Sequence, residues 1–283
     1  MKHADAQAVE RAPSDRTVFV MHRSFEHCSP KRSSAHAAVT HEHAVVAYYV
    51  GGSSCVEQNG RWTLGPGDAL LVPAGTPHRV VDLEHAELWG VGFCVPCFAA
   101  DDPASLLEPF ERVRAGASAV VHIPEQRRPF LLRLFEELRD HTSKQNSSAA
   151  VDRSLLTLIL NEVSQAASWP EDGATNAGVV GESLKVIERR CLGPLTLADV
   201  ARAVHRSPAY VTTALRRATG KSAVEWIIAG RMAEARRHLL HSDERVDIIA
   251  ERVGYADPTH FIRIFRREHG QTPAAWRAER RSK

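Results

Sequence analysis

The chain has 283 residues, of which 43% are hydrophobic and 25% charged, a composition typical of a soluble globular protein. This length suggests two domains, and no apolar run approaches the roughly 18 residues that a membrane span needs. The odd count of five cysteines argues against a disulfide framework. Residues 1–16 are polar, lack the apolar core of a signal peptide, and are predicted to form a disordered tail. We therefore expect a cytoplasmic protein with no membrane partner.

The net charge of +2 conceals an uneven distribution along the chain. Residues 182–283 contain 20 Lys and Arg against 12 Asp and Glu, a balance of +8. The other residues contain 16 basic and 22 acidic side chains, a balance of −6. An acidic front joined to a basic back indicates that only the C-terminal part meets a polyanion.

Short strands are predicted between about residues 17 and 123. The stretch "HAVVAYYVGG" (43–52) is a β-rich apolar run, and "NGRWTL" (59–64) opens with a hairpin-type Asn-Gly. The stretch "GPGDALLVPAGTPH" (65–78) contains a turn, a short strand and a second turn. Strands this short, separated by turns this regular, predict a sandwich or a small barrel.

Helical periodicity replaces the strand pattern after residue 124. The apolar stripe of the first predicted helix comprises Leu131, Leu134, Phe135 and Leu138. The second helix has the same spacing in Leu155, Leu158, Ile159 and Glu162. These two helices either pack on the β-domain or form a dimer seam. A stretch rich in Gly, Pro and small residues at 168–181 is predicted to be a linker.

Residues 182–283 have a helical pattern that contains an internal repeat. Apolar, Arg-Arg, Gly and Trp positions recur fifty residues apart. The pairs are Val211 and Phe261, Ala214 and Ile264, Leu215 and Phe265, Arg216–Arg217 and Arg266–Arg267, Gly220 and Gly270, and Trp226 and Trp276. Ahead of them the offset is forty-nine, as for Ala201 and Ala250, so the second turn is one residue longer. Each copy is predicted to be a helix, a tight turn and a helix.

The predicted helices of the repeat begin at defined residues. Thr196 followed by Asp199 is a capping-box pattern. Ser207-Pro208 and Asp257-Pro258 each place an N-cap residue before a proline at the first helical position. Between the copies, "EWIIAGRMAEARRHLLHS" is predicted to be a continuous helix that holds both units on one face of a DNA duplex.

The helices that follow the two prolines have outward faces that suit the DNA major groove. Arg263 can offer a bidentate fork to guanine, the threonines can contact base edges or thymine methyl groups, and the Arg-Arg pairs fit phosphates. Surface arginines are common on two-helix units, but two copies in a basic domain favour DNA binding. The candidates in the first helix are Ala209, Tyr210, Thr212, Thr213, Arg216 and Arg217. Those in the second are Thr259, Ile262, Arg263, Arg266 and Arg267.

This part of the chain resembles the AraC/XylS family of transcriptional regulators. The similarity lies in "LADVARAVHRSPAYVTTALRRATGKSAVEWI", the spacer "RMAEARRHLL" and "IAERVGYADPTHFIRIFRREHGQTPAAWR". The resemblance implies a DNA-binding domain at 182–283 with helix-turn-helix units at about 197–219 and 246–269. It also implies promoter DNA and RNA polymerase as partners. Arg245 and Ile262 depart from the family pattern, which usually has a small N-cap and a small polar residue at these positions.

The β-domain, residues 17–167, resembles the cupin barrel. His41 and His43 alternate on a predicted strand and so point to one face of it. The stretch "PGDALLVPAGTPH" (66–78) matches the second part of the cupin pattern. The resemblance implies the sensor fold of many AraC-type regulators. We expect a pocket for a small-molecule effector. Its predicted lining is His41, His43, Tyr49, His78 and Trp89. Plain core packing is an alternative for Trp89.

Two other chemistries fit parts of this domain. Metal-binding cupins have a carboxylate shortly after the second histidine, but the corresponding region near Ala47 has none. We predict no metal, although three imidazoles remain able to hold a divalent ion. The Cys94-Val95-Pro96-Cys97 motif lacks a second pair or a helix that would indicate zinc or redox chemistry. We interpret both cysteines as semi-buried residues at a strand end.

The predicted fold class is α+β with two domains, an N-terminal cupin-like β-barrel with two helices and a C-terminal all-α domain with two helix-turn-helix units. The predicted function is a sequence-specific regulator controlled by a small molecule, an activator by family resemblance. We expect a homodimer formed through residues 125–168. We assign no catalytic residue and no cofactor, and we expect no enzyme activity. The alternatives are a metal-dependent cupin enzyme fused to a DNA-binding domain and a redox sensor that uses Cys94 and Cys97.

Overall fold

The computed structural model describes residues 17–25, 27–28, 38–99, 104–144, 148–167 and 178–281. They divide into two compact units. The first contains the described residues of 18–93 and 103–181, and the second contains Thr17 and the described residues of 94–102 and 182–283. A sheet-containing unit and a helical unit make the chain a two-domain α+β protein. The predicted tail at 1–16 and residues 168–177 of the predicted linker 168–181 lie outside the described residues, whereas the last three linker residues already belong to the helix Val179–Arg190.

The first unit contains the strands and three of the helices found in the described residues. The strands are β1 Val18–Ser24, β2 His27–Cys28, β3 Ala44–Glu57, β4 Arg61–Leu64, β5 Asp68–Val72, β6 Arg79–Phe93 and β7 Val120–His122. The α-helices of the described residues, over both units, are α1 Val95–Ala99, α2 Glu108–Arg114, α3 Arg128–Thr142, α4 Ala149–Ala166, α5 Val179–Arg190, α6 Leu197–Ala203, α7 Pro208–Thr219, α8 Ala223–His241, α9 Val246–Arg252, α10 Pro258–His269 and α11 Pro273–Arg281. Among these, α2, α3 and α4 belong to the first unit.

The sheet of the first unit is open in the described part of the chain, so the predicted closed barrel is not seen. Its strand order is β1-β6-β3-β5-β7, with β2 paired to β6 and β4 paired to β3. The end strands β1 and β7 are not hydrogen-bonded to each other. The register of the long β3–β6 pair shifts near Gly51 and Ser53, and irregularities of this kind bend a strand locally. Bending alone does not close a sheet, because closure also requires the two edge strands to meet.

Helix α3 packs on β1 and β6, and α4 packs against α3. The predicted stripe of α3 is confirmed, since all four of its residues are buried. Phe135 in this stripe has its ring centroid 6.1 Å from that of Tyr48 and 6.3 Å from that of Trp89. The helix therefore covers the sheet face on which Tyr48 and Trp89 lie.

The predicted stripe of α4 is wrong by part of a helical turn. The buried residues of α4 are Leu156, Ile159, Leu160, Glu162 and Val163, whereas Leu158 is 43% exposed. Glu162 is buried because the Arg127 guanidinium donates to both carboxylate oxygens, with Nε 2.8 Å from Oε2. A carboxylate needs such a partner to leave water. This ion pair thus helps to decide which side of α4 faces inward.

The second unit is helical throughout its described residues. Helix α8 contacts α6, α7, α9 and α11, which places it at the centre of the unit. The predicted continuous spacer helix between the two copies is thereby confirmed. The second copy is closed by a core that includes Leu239, Ile249, Phe261, Phe265 and Trp276. No helix in the described residues of either unit is long and apolar enough to cross a membrane.

The predicted helix starts in the second unit are confirmed. Thr196 and Asp199 form a reciprocal capping box at the start of α6. The Ser207 hydroxyl accepts from a backbone N–H at the start of α7, and Asp257 does the same at the start of α10. Helices α7 and α10 both end at a glycine with a φ of 77°. The two copies therefore share the same helical limits.

Cys94 and Cys97 form a disulfide, which corrects their interpretation as separate cysteines at a strand end. The first turn of α1 brings their Cα atoms to 5.4 Å, a separation that a disulfide spans. Both residues are buried and pack in a small cluster with Ala233 of α8. The sequence motif alone did not indicate this short helix.

Candidate nucleic-acid interface

Helix α10 separates an apolar face from an exposed polar one. Phe261, Ile264 and Phe265 are buried in the core of the second copy. The predicted DNA-binding residues Thr259, Ile262, Arg263, Arg266 and Arg267 are all exposed. The face includes Ile262, which is 36% exposed and can contact a thymine methyl group but cannot donate a hydrogen bond.

Helix α7 has the same arrangement with smaller side chains. Val211 and Leu215 are fully buried, and Ala214 is half-buried. Thr212 is half-buried and so lies at the edge of the outward face. The remaining predicted residues are exposed, namely Ala209, Tyr210, Thr213, Arg216 and Arg217.

The two exposed faces differ in how their arginines are paired. In α7, Arg216 donates to Glu225 at the start of α8, with Nη2 3.1 Å from Oε2. In α10, Arg267 pairs with its neighbour Glu268 at 2.7 Å. Within the described residues, Arg263 and Arg266 have no carboxylate partner. Two guanidinium groups on α10 are therefore available to a phosphate or a base.

The first turn of α10 is closed by the side chain of Asp257. Its carboxylate accepts from the backbone N–H groups of Thr259 at 2.8 Å and His260 at 3.2 Å. These hydrogen bonds, that of Thr259 first, hold the pKa of Asp257 below its usual range. The cap satisfies the free N–H groups internally, so a ligand at this helix meets side chains rather than the bare helix terminus.

His260 is an exposed residue of the α10 face that the sequence reasoning missed. It lies fifty residues after Tyr210, which is 52% exposed at the equivalent place on α7. The repeat itself was thus a signal that could have identified it. Its imidazole lies beside Tyr255, with ring centroids 5.6 Å apart.

Arg245, which departs from the family pattern, does not cap α9 with its side chain. Its guanidinium instead pairs with Asp247, Nη2 to Oδ2 at 2.8 Å. The missing cap leaves α9 without the side-chain acceptor that α6 has in Thr196.

The predicted ligand residues of the first unit do not all come together. The imidazoles of His41 and His78 lie edge to face with their centroids 4.9 Å apart. His43 contacts Phe19, with ring centroids 5.3 Å apart. Tyr49 is buried. Trp89 is also buried, stacked on His22 at 4.4 Å and below the guanidinium of Arg139 at 4.9 Å. Trp89 therefore packs beneath α3.

Burial lowers the pKa of His41 to about 4, with a further contribution from the neighbouring imidazole of His78. Its Nδ1 donates to the backbone carbonyl of His43 at 2.6 Å. His41 is therefore neutral at pH 7, with Nε2 as the acceptor atom. Among the described residues, no three His, Cys, Asp or Glu side chains are grouped as metal ligands.

The family model described as "Helix-turn-helix domain" matches residues 200–279. The chain is 28% identical over 154 residues to the uncharacterized HTH-type transcriptional regulator YisR of Bacillus subtilis, covering 54% of this chain and 52% of YisR. It is 26% identical over 275 residues to the transcriptional activator NphR of a Rhodococcus species, covering 89% of this chain and 78% of NphR. The chain thus spans about half the length of YisR.

Among solved structures, the chain is similar to the C-terminal domain of AraT, a response regulator from Geobacillus stearothermophilus. The sequences are 28% identical, the match covers 36% of this chain and 85% of that domain, and the TM-score is 0.35. The family model, the two repeated helix pairs and the named relatives all indicate a helix-turn-helix DNA-binding domain. Residues 200–279 are therefore an AraC-type helix-turn-helix domain, and the relatives that share this region are named as transcriptional regulators.

Proposed function

We propose that this protein is a sequence-specific transcriptional regulator, and that α7 and α10 are its two recognition helices. The observation on which this rests is the pair of capped helices, fifty residues apart, whose exposed faces present threonine and arginine. Helix α8 joins the two copies. This arrangement suits two adjacent major-groove contacts, about ten base pairs apart. The name of NphR supports an activator.

Selection of bound sequences from a random DNA pool tests this proposal. We expect a recurrent motif with two blocks whose centres are about ten base pairs apart. Arg263→Ala is expected to relax the preference at one base-pair position within one block. Arg133→Ala, which removes an exposed arginine from α3 in the first unit, is the matched control and is expected to leave the motif unchanged. Binding that depends on salt but not on sequence would contradict the proposal.

We propose further that the first unit is a cupin-like sensor in which His41 and His78 contact a small-molecule effector. Support comes from their facing imidazoles and from the neutral state of His41, whose Nε2 can accept a hydrogen bond from a polar ligand. The test is a promoter–reporter assay across a panel of carbon sources. His41→Ala and His78→Ala should abolish the response, whereas Arg133→Ala should retain it. Unchanged induction in both histidine variants would exclude this site.

A homodimer formed through α4 is the third part of the proposal. Val151 and Leu158 are 41% and 43% exposed, and with half-buried Leu155 they occupy one face at i, i+4 and i+7. An apolar stripe of this kind favours a partner helix. Leu158→Glu is expected to convert a dimer to a monomer in light scattering after size exclusion. Arg133→Glu is the control. If the Leu158→Glu protein remained dimeric, the dimer interface would not lie on α4.

A further inference from the structure

Arg231, in the middle of α8, binds the turn that precedes the first helix-turn-helix copy. Its Nε donates to the carbonyl oxygen of Cys191 at 2.7 Å, and its Nη2 donates to that of Gly193 at 2.7 Å. These carbonyls follow the end of α5 and lie just before α6. Charge-assisted hydrogen bonds from one planar group to two acceptors fix orientation as well as distance.

The same guanidinium also contacts the second copy. Its Cζ lies 5.0 Å from the ring centroid of Tyr255, in the turn between α9 and α10. Tyr255 is 6% exposed, and its ring is 5.5 Å from that of Phe261 in α10. A single side chain on the spacer helix therefore contacts both the turn that leads into the first copy and the turn within the second copy.

Gly254 brings the two turns directly together. Its φ is 84°, and a Cβ atom at this position would lie 2.8 Å from the carbonyl oxygen of Gly193 and 3.1 Å from Nε of Arg231. The equivalent residue of the first copy, forty-nine residues earlier, is His205, which has a φ of 53° and is exposed. A side chain is thus tolerated in this conformation. The glycine at 254 is required because the other turn lies against it.

We infer that Arg231 and Gly254 form a brace that sets the position of the second recognition helix relative to the first. Helix α8 packs against helices of both copies, and its residues Met232 and Leu239 belong to the core of the second copy. The brace adds a second connection through Cys191–Gly193 and Tyr255. Arg231 is therefore a positioning residue, and what it determines is the spacing between the two DNA blocks that the protein accepts. This inference rests on the proposed function.

The test compares DNA fragments in which the two blocks of the selected motif are moved apart or together by one and two base pairs, and fragments with one block scrambled. Wild-type protein is expected to prefer one spacing sharply. Arg231→Ala should bind single-block DNA as the wild type does, yet lose about 10-fold or more on the two-block site, because linked contacts no longer reinforce each other. Its preference for one spacing should flatten.

Two further variants separate the brace from a general effect on folding. Gly254→Ala should reproduce the loss of spacing preference, whereas the matched His205→Ala should behave as wild type. Arg231→Lys, which keeps the charge but cannot donate as a planar fork, should restore binding only in part. Equal losses on single-block and two-block DNA, or an unchanged spacing preference in Arg231→Ala, would overturn the inference.

Hydrogen exchange of the free protein gives a second readout that does not depend on DNA. In Arg231→Ala, amide exchange should accelerate together in residues 191–193 and in the turn at 254–257, while α7 should remain protected. If amide exchange in Arg231→Ala accelerated in neither turn, the inferred brace would be wrong. Selection that returned no two-block motif for wild-type protein would contradict the proposed function instead, and the exchange result would still decide whether the brace exists.

Discussion

Helices α7 and α10 occupy equivalent places in the two copies, yet their exposed faces differ in charge. Arg263 on α10 corresponds to Thr213 on α7, fifty residues earlier. Arg266 corresponds to Arg216, but within the described residues only Arg216 has a carboxylate partner, because Glu225 has its counterpart in Ala275. The two copies therefore share the same helices but expose different side chains to DNA. We expect α10 to read bases through arginine and α7 to contribute apolar contacts and recognition of DNA shape.

The largest expected effect is the loss of unfolding free energy when a core residue of either copy is truncated. Phe261 and Val211 are equivalent and fully buried. Phe261→Ala is expected to cost about 3–5 kcal/mol of unfolding free energy, since it removes a large ring from a packed core. Val211→Ala removes less apolar surface and should cost about 1.5–3 kcal/mol. Urea unfolding of the C-terminal domain measures both, and equal losses would mean that the two cores are packed equally.

Base recognition should be concentrated on α10. Arg263→Ala is expected to cost about 1–3 kcal/mol at one base-pair position, whereas Thr213→Ala should cost about 1 kcal/mol or less. Arg266→Ala should weaken all sequences alike and reduce the salt slope by about one, as for a phosphate contact. Competition binding with single-base variants of the site distinguishes these effects. If Arg263→Ala and Arg266→Ala behaved identically, the assignment of the α10 face would be wrong.

Because Arg216 is paired with Glu225, α7 should contribute less to DNA affinity than its number of arginines suggests. Glu225→Gln keeps a side chain able to complete the capping box with Ser222 but removes the negative charge beside Arg216. DNA affinity should rise about 2- to 5-fold, the range of an exposed ion pair, with a salt slope steeper by about one. The gain should vanish in the double variant with Arg216→Ala. A gain that persisted there would arise from some other cause.

The smallest expected difference concerns pH. Asp257 caps α10 with an ionisable group, while Ser207 caps α7 with a hydroxyl. Because backbone hydrogen bonds lower the pKa of Asp257 below 3.8, its contribution is complete above that pH and is lost as the pH falls below it. Amide exchange in the first turn of α10 should therefore accelerate at acid pH relative to α7. Asp257→Ser should remove this difference, and its persistence would exclude the cap as the cause.

Local sequence patterns were sufficient to predict most of the secondary structure of the second unit. The helix starts, the spacer helix and the buried faces of α7 and α10 all follow from caps and periodicity that act over a few residues. The outward faces were located by the same means, except that Thr212 lies at an edge and His260 was overlooked. In the first unit, the apolar stripe of α3 was also predicted correctly from periodicity.

Contacts between distant residues decided the rest. The sequence by itself determined two repeated helix pairs, their caps and a basic face. Only the tertiary structure decided that the sheet is open in the described part of the chain, that Glu162 turns inward to meet Arg127, and that Trp89 lies beneath α3. The brace of Arg231 and Gly254 belongs to the same class. Periodicity reports which side of an element is apolar, but which partner covers that side depends on packing between segments far apart in the chain.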